Sequence, residues 1–207
     1  MMKKYLAELV GTFCLVLVGA GSIAISLPHI WISIAFGAIV TLMILCFGHV
    51  SGAHINPAVS VGFYLFNGEK QALVYIPFQL IGGLLAGIFL SLVLPQNPTY
   101  GETMPSSGIG ATILIEIFIT FALMLSILLI VETNNLRSIA VVVGFVVFLA
   151  AYFAGPFTGA SMNPARSFGP AVVSNTLDVL WIYFLAPVIG SALSVPFYHF
   201  FKKIRTK

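Results

Sequence analysis

The chain has 207 residues, 59% of them hydrophobic and only 7% charged, with a net charge of +3, whereas an ordinary soluble domain carries about 25% charged residues. This composition excludes a soluble or disordered protein. The small positive excess makes no nucleic-acid surface, because the basic residues lie at chain ends and in loops. Between Glu8 and Glu69 there is no Asp, Glu, Lys or Arg, and one helical span needs about 20 residues, so that stretch alone crosses a bilayer more than once. The apolar runs are continuous rather than short and alternating, which points to helices and not to a β-barrel.

In chain order, residues 1–24 resemble a secretory leader, with Lys3 and Lys4 ahead of an apolar core. Glu8 interrupts that core and five further spans follow, so the segment is expected to stay in place as the first helix. Spans are predicted over about 5–26, 31–49, 71–94, 109–131, 137–154 and 179–201, with Pro28 and His29 in a tight turn after the first. The Pro-rich stretch 95–107 is the one substantial loop and divides the chain into repeat 1, about 1–94, and repeat 2, about 108–207, of a single transmembrane domain. Cys14 and Cys46 lie in apolar spans without metal-ligand spacing and are expected to be small buried hydrophobes.

One phrase occurs twice. Ser51-Gly52-Ala53-His54-Ile55-Asn56-Pro57-Ala58-Val59-Ser60-Val61-Gly62 returns 107 residues later as Thr158-Gly159-Ala160-Ser161-Met162-Asn163-Pro164-Ala165-Arg166-Ser167-Phe168-Gly169. Asn is a preferred N-cap and Pro suits the first helical position, so Asn56-Pro57 and Asn163-Pro164 each read as a helix start. The run after Pro57 extends ten residues before the next breakers, roughly 15 Å, about half a hydrocarbon core. Each copy therefore starts a half-span. Glu8, Thr12 and Phe13 also find Glu116, Thr120 and Phe121, offset by 108, and Gly83 finds Gly190, offset by 107. A unit of three spans, repeated, must sit upside down relative to its copy, as an inverted repeat.

With both termini cytoplasmic, Lys3, Lys4, Lys70, Arg137, Lys202, Lys203, Arg205 and Lys207 all fall inside and only Arg166 falls outside, in accord with the excess of Lys and Arg in cytoplasmic segments. The exception lies in the repeated phrase, so it needs a functional reason. The half-helices enter from opposite faces and their N-termini should meet near the midplane, where two positive dipole ends repel cations. Each Asn is expected to cap its helix with the side-chain oxygen and to turn its NH₂ toward a passage. Non-helical backbone at membrane depth is tolerated where it lines water or is buried in protein, so 51–55 and 158–162 are expected to offer a ladder of carbonyls.

Two Asn-Pro-Ala boxes (Asn56, Pro57, Ala58 and Asn163, Pro164, Ala165), an Arg two places after the second Pro and the paired glutamates together resemble the aquaporin, or major intrinsic protein, family. The likeness covers essentially the whole chain and is nearest in motif to prokaryotic and nodulin-like members. It implies an all-α membrane fold of six transmembrane helices plus two re-entrant half-helices. It also implies a passive channel for water and small uncharged solutes, such as glycerol, urea or metalloid acids, that excludes protons and ions by the half-helix dipoles, as is established for aquaporin-type pores. Further implications are a homotetramer in the plasma (inner) membrane, a filter of Phe36, Ala151, Ala160 and Arg166, and His54 facing the cytoplasmic pore mouth; Gly52, Ala53, Gly159 and Ser161 complete the expected lining. Water-selective members place His where this chain has Ala151, and aquaglyceroporins place a second aromatic and an Asp where this chain has neither.

Other readings compete at particular residues. Glu8 and Glu116 could couple protons in a secondary transporter, but their symmetric duplication favours a role in bracing the half-helix loops. Arg166 could serve a structural ion pair, with Asp178 the nearest acid in sequence. A strictly water-selective channel and a closed relative acting as a scaffold are the remaining alternatives. No nucleophile with a base, metal cluster or phosphate loop appears, so neither an enzyme nor a cofactor is expected.

Overall fold

The computed structural model describes residues 2–97 and 99–205; Met1, Pro98, Thr206 and the Lys207 assigned above to the cytoplasm lie outside the described residues. Six long apolar helices, each long enough to cross a membrane, account for most of the chain: α1 (Met2–Ala24), α2 (His29–Ser51), α4 (Lys70–Val93), α5 (Ile109–Ile130), α6 (Leu136–Thr158) and α8 (Leu180–Arg205). Two short helices, α3 (Pro57–Asn67) and α7 (Pro164–Ser174), begin at the repeated Asn-Pro pairs. At 11 residues each they are roughly 16 Å long, half-spans as the sequence implied.

Most boundaries fall within two or three residues of expectation, but α6 does not stop at Ala154. It continues through Pro156 to Thr158. A proline has no N–H, so the carbonyl four residues earlier, that of Tyr152, loses its helical donor. His29 Nε2 bonds that carbonyl at 2.8 Å, so the first residue of α2 supplies the donor that the proline lacks. Both α2 and α6 end on a glycine in the left-handed region, Gly52 at φ 90° and Gly159 at φ 78°, so the non-helical segments are 52–56 and 159–163 rather than 51–55 and 158–162.

The repeats pack crosswise. The first half-helix, α3, lies against α8 and α4, and α7 lies against α4 as well as α1 and α8. At the centre α2 crosses α6: a Cβ on Gly37 would meet the carbonyl oxygen of Gly144 at 2.7 Å, and one on Gly144 would meet that of Gly37 at 2.6 Å. This reciprocal approach of residues 107 apart marks the pseudo-two-fold axis. The glycine contacts also correct one pairing. A Cβ on Gly82 would strike the Leu9 carbonyl and lie 3.1 Å from Phe13 N, and one on Gly190 would strike the Ile117 carbonyl and lie 3.0 Å from Phe121 N. Gly82, not Gly83, is therefore the counterpart of Gly190, and the offset in α4 and α8 is 108. Gly83 corresponds to Ser191; the first abuts the Ala165 carbonyl and the second donates its hydroxyl to the Ala58 carbonyl.

Cys14 is half-buried and Cys46 exposed, so Cys46 turns out of the bundle rather than into it. Apolar side chains outside the bundle, such as Phe118, Leu114 and Phe153, are also exposed. That surface suits a hydrocarbon surround, where no hydrophobic drive buries them.

Candidate functional site

Each re-entrant segment is shaped by one buried carboxylate. Glu8, fully buried in α1, accepts from Ser51 Oγ at 2.6 Å and His54 N at 2.9 Å on one oxygen, and from Ile55 N at 2.6 Å and Gln79 Nε2 at 2.8 Å on the other. Glu116, equally buried in α5, accepts from Thr158 Oγ1 at 2.8 Å, Ser161 N at 2.8 Å and Met162 N at 2.9 Å. These bonds fix a backbone that would otherwise be unfavourable. Ala53, Ile55, Ala160 and Met162 all have φ between 42° and 53°, a region rare for non-glycine residues and least tolerated by β-branched Ile. With the N–H groups of His54, Ile55, Ser161 and Met162 tied to the carboxylates, the carbonyls face elsewhere. Among the described residues no donor reaches those of Gly52, Ala53, His54, Gly159, Ala160 or Ser161.

The half-helix N-termini meet. Asn56 Oδ1 caps Ala58 N at 2.9 Å, and Asn163 Oδ1 caps Ala165 N at 3.0 Å and Arg166 N at 3.3 Å. The NH₂ groups do more than face open space. Asn56 Nδ2 donates to the Met162 carbonyl at 2.8 Å and Asn163 Nδ2 to the Ile55 carbonyl at 2.9 Å, each reaching into the opposite repeat. An amide NH₂ carries two hydrogens; one is engaged across the axis and the other is available to a molecule in the cavity that both asparagines line.

That cavity is walled by residues of both repeats, among them Gly52, Ala53, His54, Asn56, Ser161 and Asn163, and reaches Phe36, Ala151, Ala160 and Arg166 at one end. A second cavity, lined by His29, Glu102, Ser106 and Gly159 among others, adjoins it and shares Phe36 and Ala151. Phe36 of α2 and Ala151 of α6 thus stand where the two cavities meet; Ala160 of the second re-entrant segment and Arg166 of α7 line the main cavity, and Gly159 lines the second. Pro57, Ala58, Pro164 and Ala165 are buried behind the lining. His54 both lines the main cavity and packs, stacked on Phe63 at 4.6 Å between centroids with its Nδ1 3.1 Å from Ser60 Oγ.

Arg166 is 1% exposed and lies in no ion pair with Asp178; among the described residues no carboxylate is within salt-bridge distance of it. Its Nη1 donates to the Gly101 carbonyl at 2.7 Å, and its guanidinium carbon sits 5.0 Å from the centroid of the Phe36 ring, a cation–π arrangement. Nε and Nη2 have no partner among the described residues. Both are buried donors on a residue that lines the cavity, with hydrogens left for an acceptor oxygen.

Several residues of this machinery escaped the sequence reading. The loop 95–107 does not merely separate the repeats. Gly101 holds Arg166, Glu102 accepts from Ser174 and Thr176 at the end of α7, and Thr103 Oγ1 donates to Ser167 Oγ at 2.8 Å. A backbone carbonyl leaves no mark in a sequence, and a Pro-rich stretch reads as a connection. Ser60 and Ser167, bonded to His54 and to Ser161 respectively, stood in plain view as a matched pair within the repeated phrase. Gln79, a buried amide in the third span, bonds both Glu8 and Ser60.

The model of the family described as Major intrinsic protein matches residues 1–198. The chain is similar to a probable aquaporin NIP-type of Nicotiana alata, 38% identical over 200 residues that cover 92% of this chain and 74% of that protein. It is 40% identical over 201 residues to aquaporin NIP2-2 of Zea mays, covering 91% of this chain and 68% of the other. The X-ray structure of the aquaglyceroporin from Plasmodium falciparum superimposes with a TM-score of 0.86 and 26% identity over 95% of each chain. The inverted three-span units, the opposed Asn-Pro helix starts and these matches agree, and the chain belongs to the major intrinsic protein family.

Proposed function

We propose that the protein is a passive membrane channel for water and small uncharged solutes such as glycerol, urea and metalloid acids. Solutes follow the cavity past Asn56 and Asn163 to a filter of Phe36, Ala151, Ala160 and Arg166. The observation that carries this reading is the meeting of two Asn-capped helix ends, cross-bonded through Met162 and Ile55, on one cavity lined by carbonyls without donors. Two positive dipole ends and a buried guanidinium oppose any cation, hydronium included. Asn amides and carbonyls exchange hydrogen bonds with water or a hydroxyl as it passes. Ala151 supplies no donor and little bulk, so the filter admits more than water. Glu8 and Glu116 are braces rather than proton carriers, which the full set of N–H and O–H donors on each carboxylate supports. No chemical step, cofactor or metal enters the passage. Four copies, each with its own pore, in a plasma membrane with both termini cytoplasmic complete the proposal.

Reconstitution into proteoliposomes tests it. Osmotic shifts in stopped flow should show fluxes of water, glycerol, urea and boric acid that are linear in gradient and indifferent to membrane voltage and to an imposed proton gradient. Water flux without any solute flux would restrict the channel to water. Saturable flux driven by a proton gradient would replace the channel with a coupled transporter.

A further inference from the structure

Phe36 fills its place because α1 presents no side chain there. A Cβ on Gly19 would lie 2.5 Å from Cδ1 and 2.6 Å from Cζ of the Phe36 ring, and closer still to Cε1, far inside van der Waals contact. The ring therefore rests directly on the α1 backbone. In the other direction it lines both cavities at their junction and faces the Arg166 guanidinium. Phe36 is 7% exposed, and interiors are close-packed with few voids, so a ring pushed off α1 moves toward the passage.

The other repeat makes the comparison. The counterparts of Gly19 and Phe36, 108 and 107 residues on, are Ile127 and Val143, and both of these line the cavity themselves. There the wall is shared between two aliphatic side chains from two helices. At the outer junction a single aromatic ring does the whole task, and it fits only because position 19 has no side chain. We infer that Gly19 sets the width of the constriction, as a specificity-determining residue that acts by positioning Phe36 and does not touch the solute; Gly19 is absent from the lining of either cavity. The inference rests on the reading of that junction as the filter.

The test compares the reconstituted wild-type chain with Gly19→Ala, Phe36→Ala and the double variant. Gly19→Ala should lower glycerol permeability at least tenfold and water permeability two- to threefold, and Gly19→Ala/Phe36→Ala should restore both to wild-type level or above. Glycerol and water fluxes unchanged by Gly19→Ala overturn the inference. So does a loss that Phe36→Ala fails to relieve at equal protein incorporation, since that outcome marks a general packing defect in α1. A wild-type channel that passes water but no glycerol overturns the proposed solute range instead. In that case the inference is read in water alone, where Gly19→Ala must slow the flux and the second substitution must recover it.

Discussion

The two repeats build the same scaffold and diverge where the cavity is walled. Their braces match but for Gln79: Ser51 and Thr158 each bond a glutamate and the N–H two residues on, and His54 N and Ile55 N on Glu8 answer to Ser161 N and Met162 N on Glu116. The walls do not match. By the same offset, Phe36, Ala151, Ala160 and Arg166 correspond to Val143, Ile44, Ala53 and Val59, all of which also line the main cavity. These four positions thus carry an aromatic ring, two methyl groups and a cation, and their four counterparts carry aliphatic side chains alone. The lesson is that duplication supplies a symmetric frame, and that the positions proposed to discriminate between solutes are ones where the symmetry is broken.

The largest way to break the comparison is to remove a brace. Glu8→Ala orphans four donors and Glu116→Ala three; at about 1 kcal/mol or more for each buried unsatisfied group, both variants lose several kcal/mol. The Glu8 variant loses about 1 kcal/mol more, because Gln79 has no equivalent in the second repeat, where Pro187 stands. Thermal unfolding of both variants in detergent checks the order. Next in size, Arg166→Val copies the wall of the first repeat, where Val59 stands, onto the second. Water flux should persist within about threefold, while leak of small cations and protons rises by about tenfold or more, measured with a pH-sensitive dye in vesicles under a potential. A third substitution, Ala151→His, narrows the junction and adds a donor; glycerol, urea and boric acid fluxes should fall about tenfold, equivalent to about 1.4 kcal/mol of barrier, with water spared.

The smallest effect sharpens the symmetry itself. Tyr75 and Tyr183 are equivalent and both buried; the Tyr183 hydroxyl donates to the Thr158 carbonyl at 2.8 Å, whereas that of Tyr75 has no partner among the described residues. Tyr183→Phe should cost about 1 kcal/mol in unfolding free energy, and Tyr75→Phe close to nothing or a slight gain. Equal costs would mean that the two repeats are more alike than their bonding indicates.

The half-helices, the inversion and the bracing carboxylates were all legible in the sequence because each leaves a mark on residue types: Asn-Pro at a start, a lone Glu in an apolar run, a phrase repeated at fixed spacing. Two features were hidden for physical reasons. The continuation of α6 past Pro156 depends on His29, more than a hundred residues away, taking the Tyr152 carbonyl, and local propensity carries no trace of such a rescue. The grip of loop 95–107 on α7 runs partly through the Gly101 carbonyl, which any residue type would supply. The choice of Gly83 over Gly82 as partner of Gly190 erred because the central phrase and α2 repeat at 107, whereas α1 and α4 repeat at 108. The four filter positions came from family likeness alone, since nothing in the local pattern distinguishes Phe36 from the other phenylalanines.

The crossed bonds from Asn56 to Met162 and from Asn163 to Ile55 bear on how the protein is made. During synthesis the first unit enters the bilayer while the second is still on the ribosome, and its re-entrant loop then lacks both the acceptor for Asn56 and the helix α8 that supports α3. Neither asparagine can make its crossed bond before the other loop arrives, so the two loops complete each other only once both units are in the bilayer. A chain severed between Ser106 and Ser107 and produced as two fragments should therefore conduct only after the fragments have found each other.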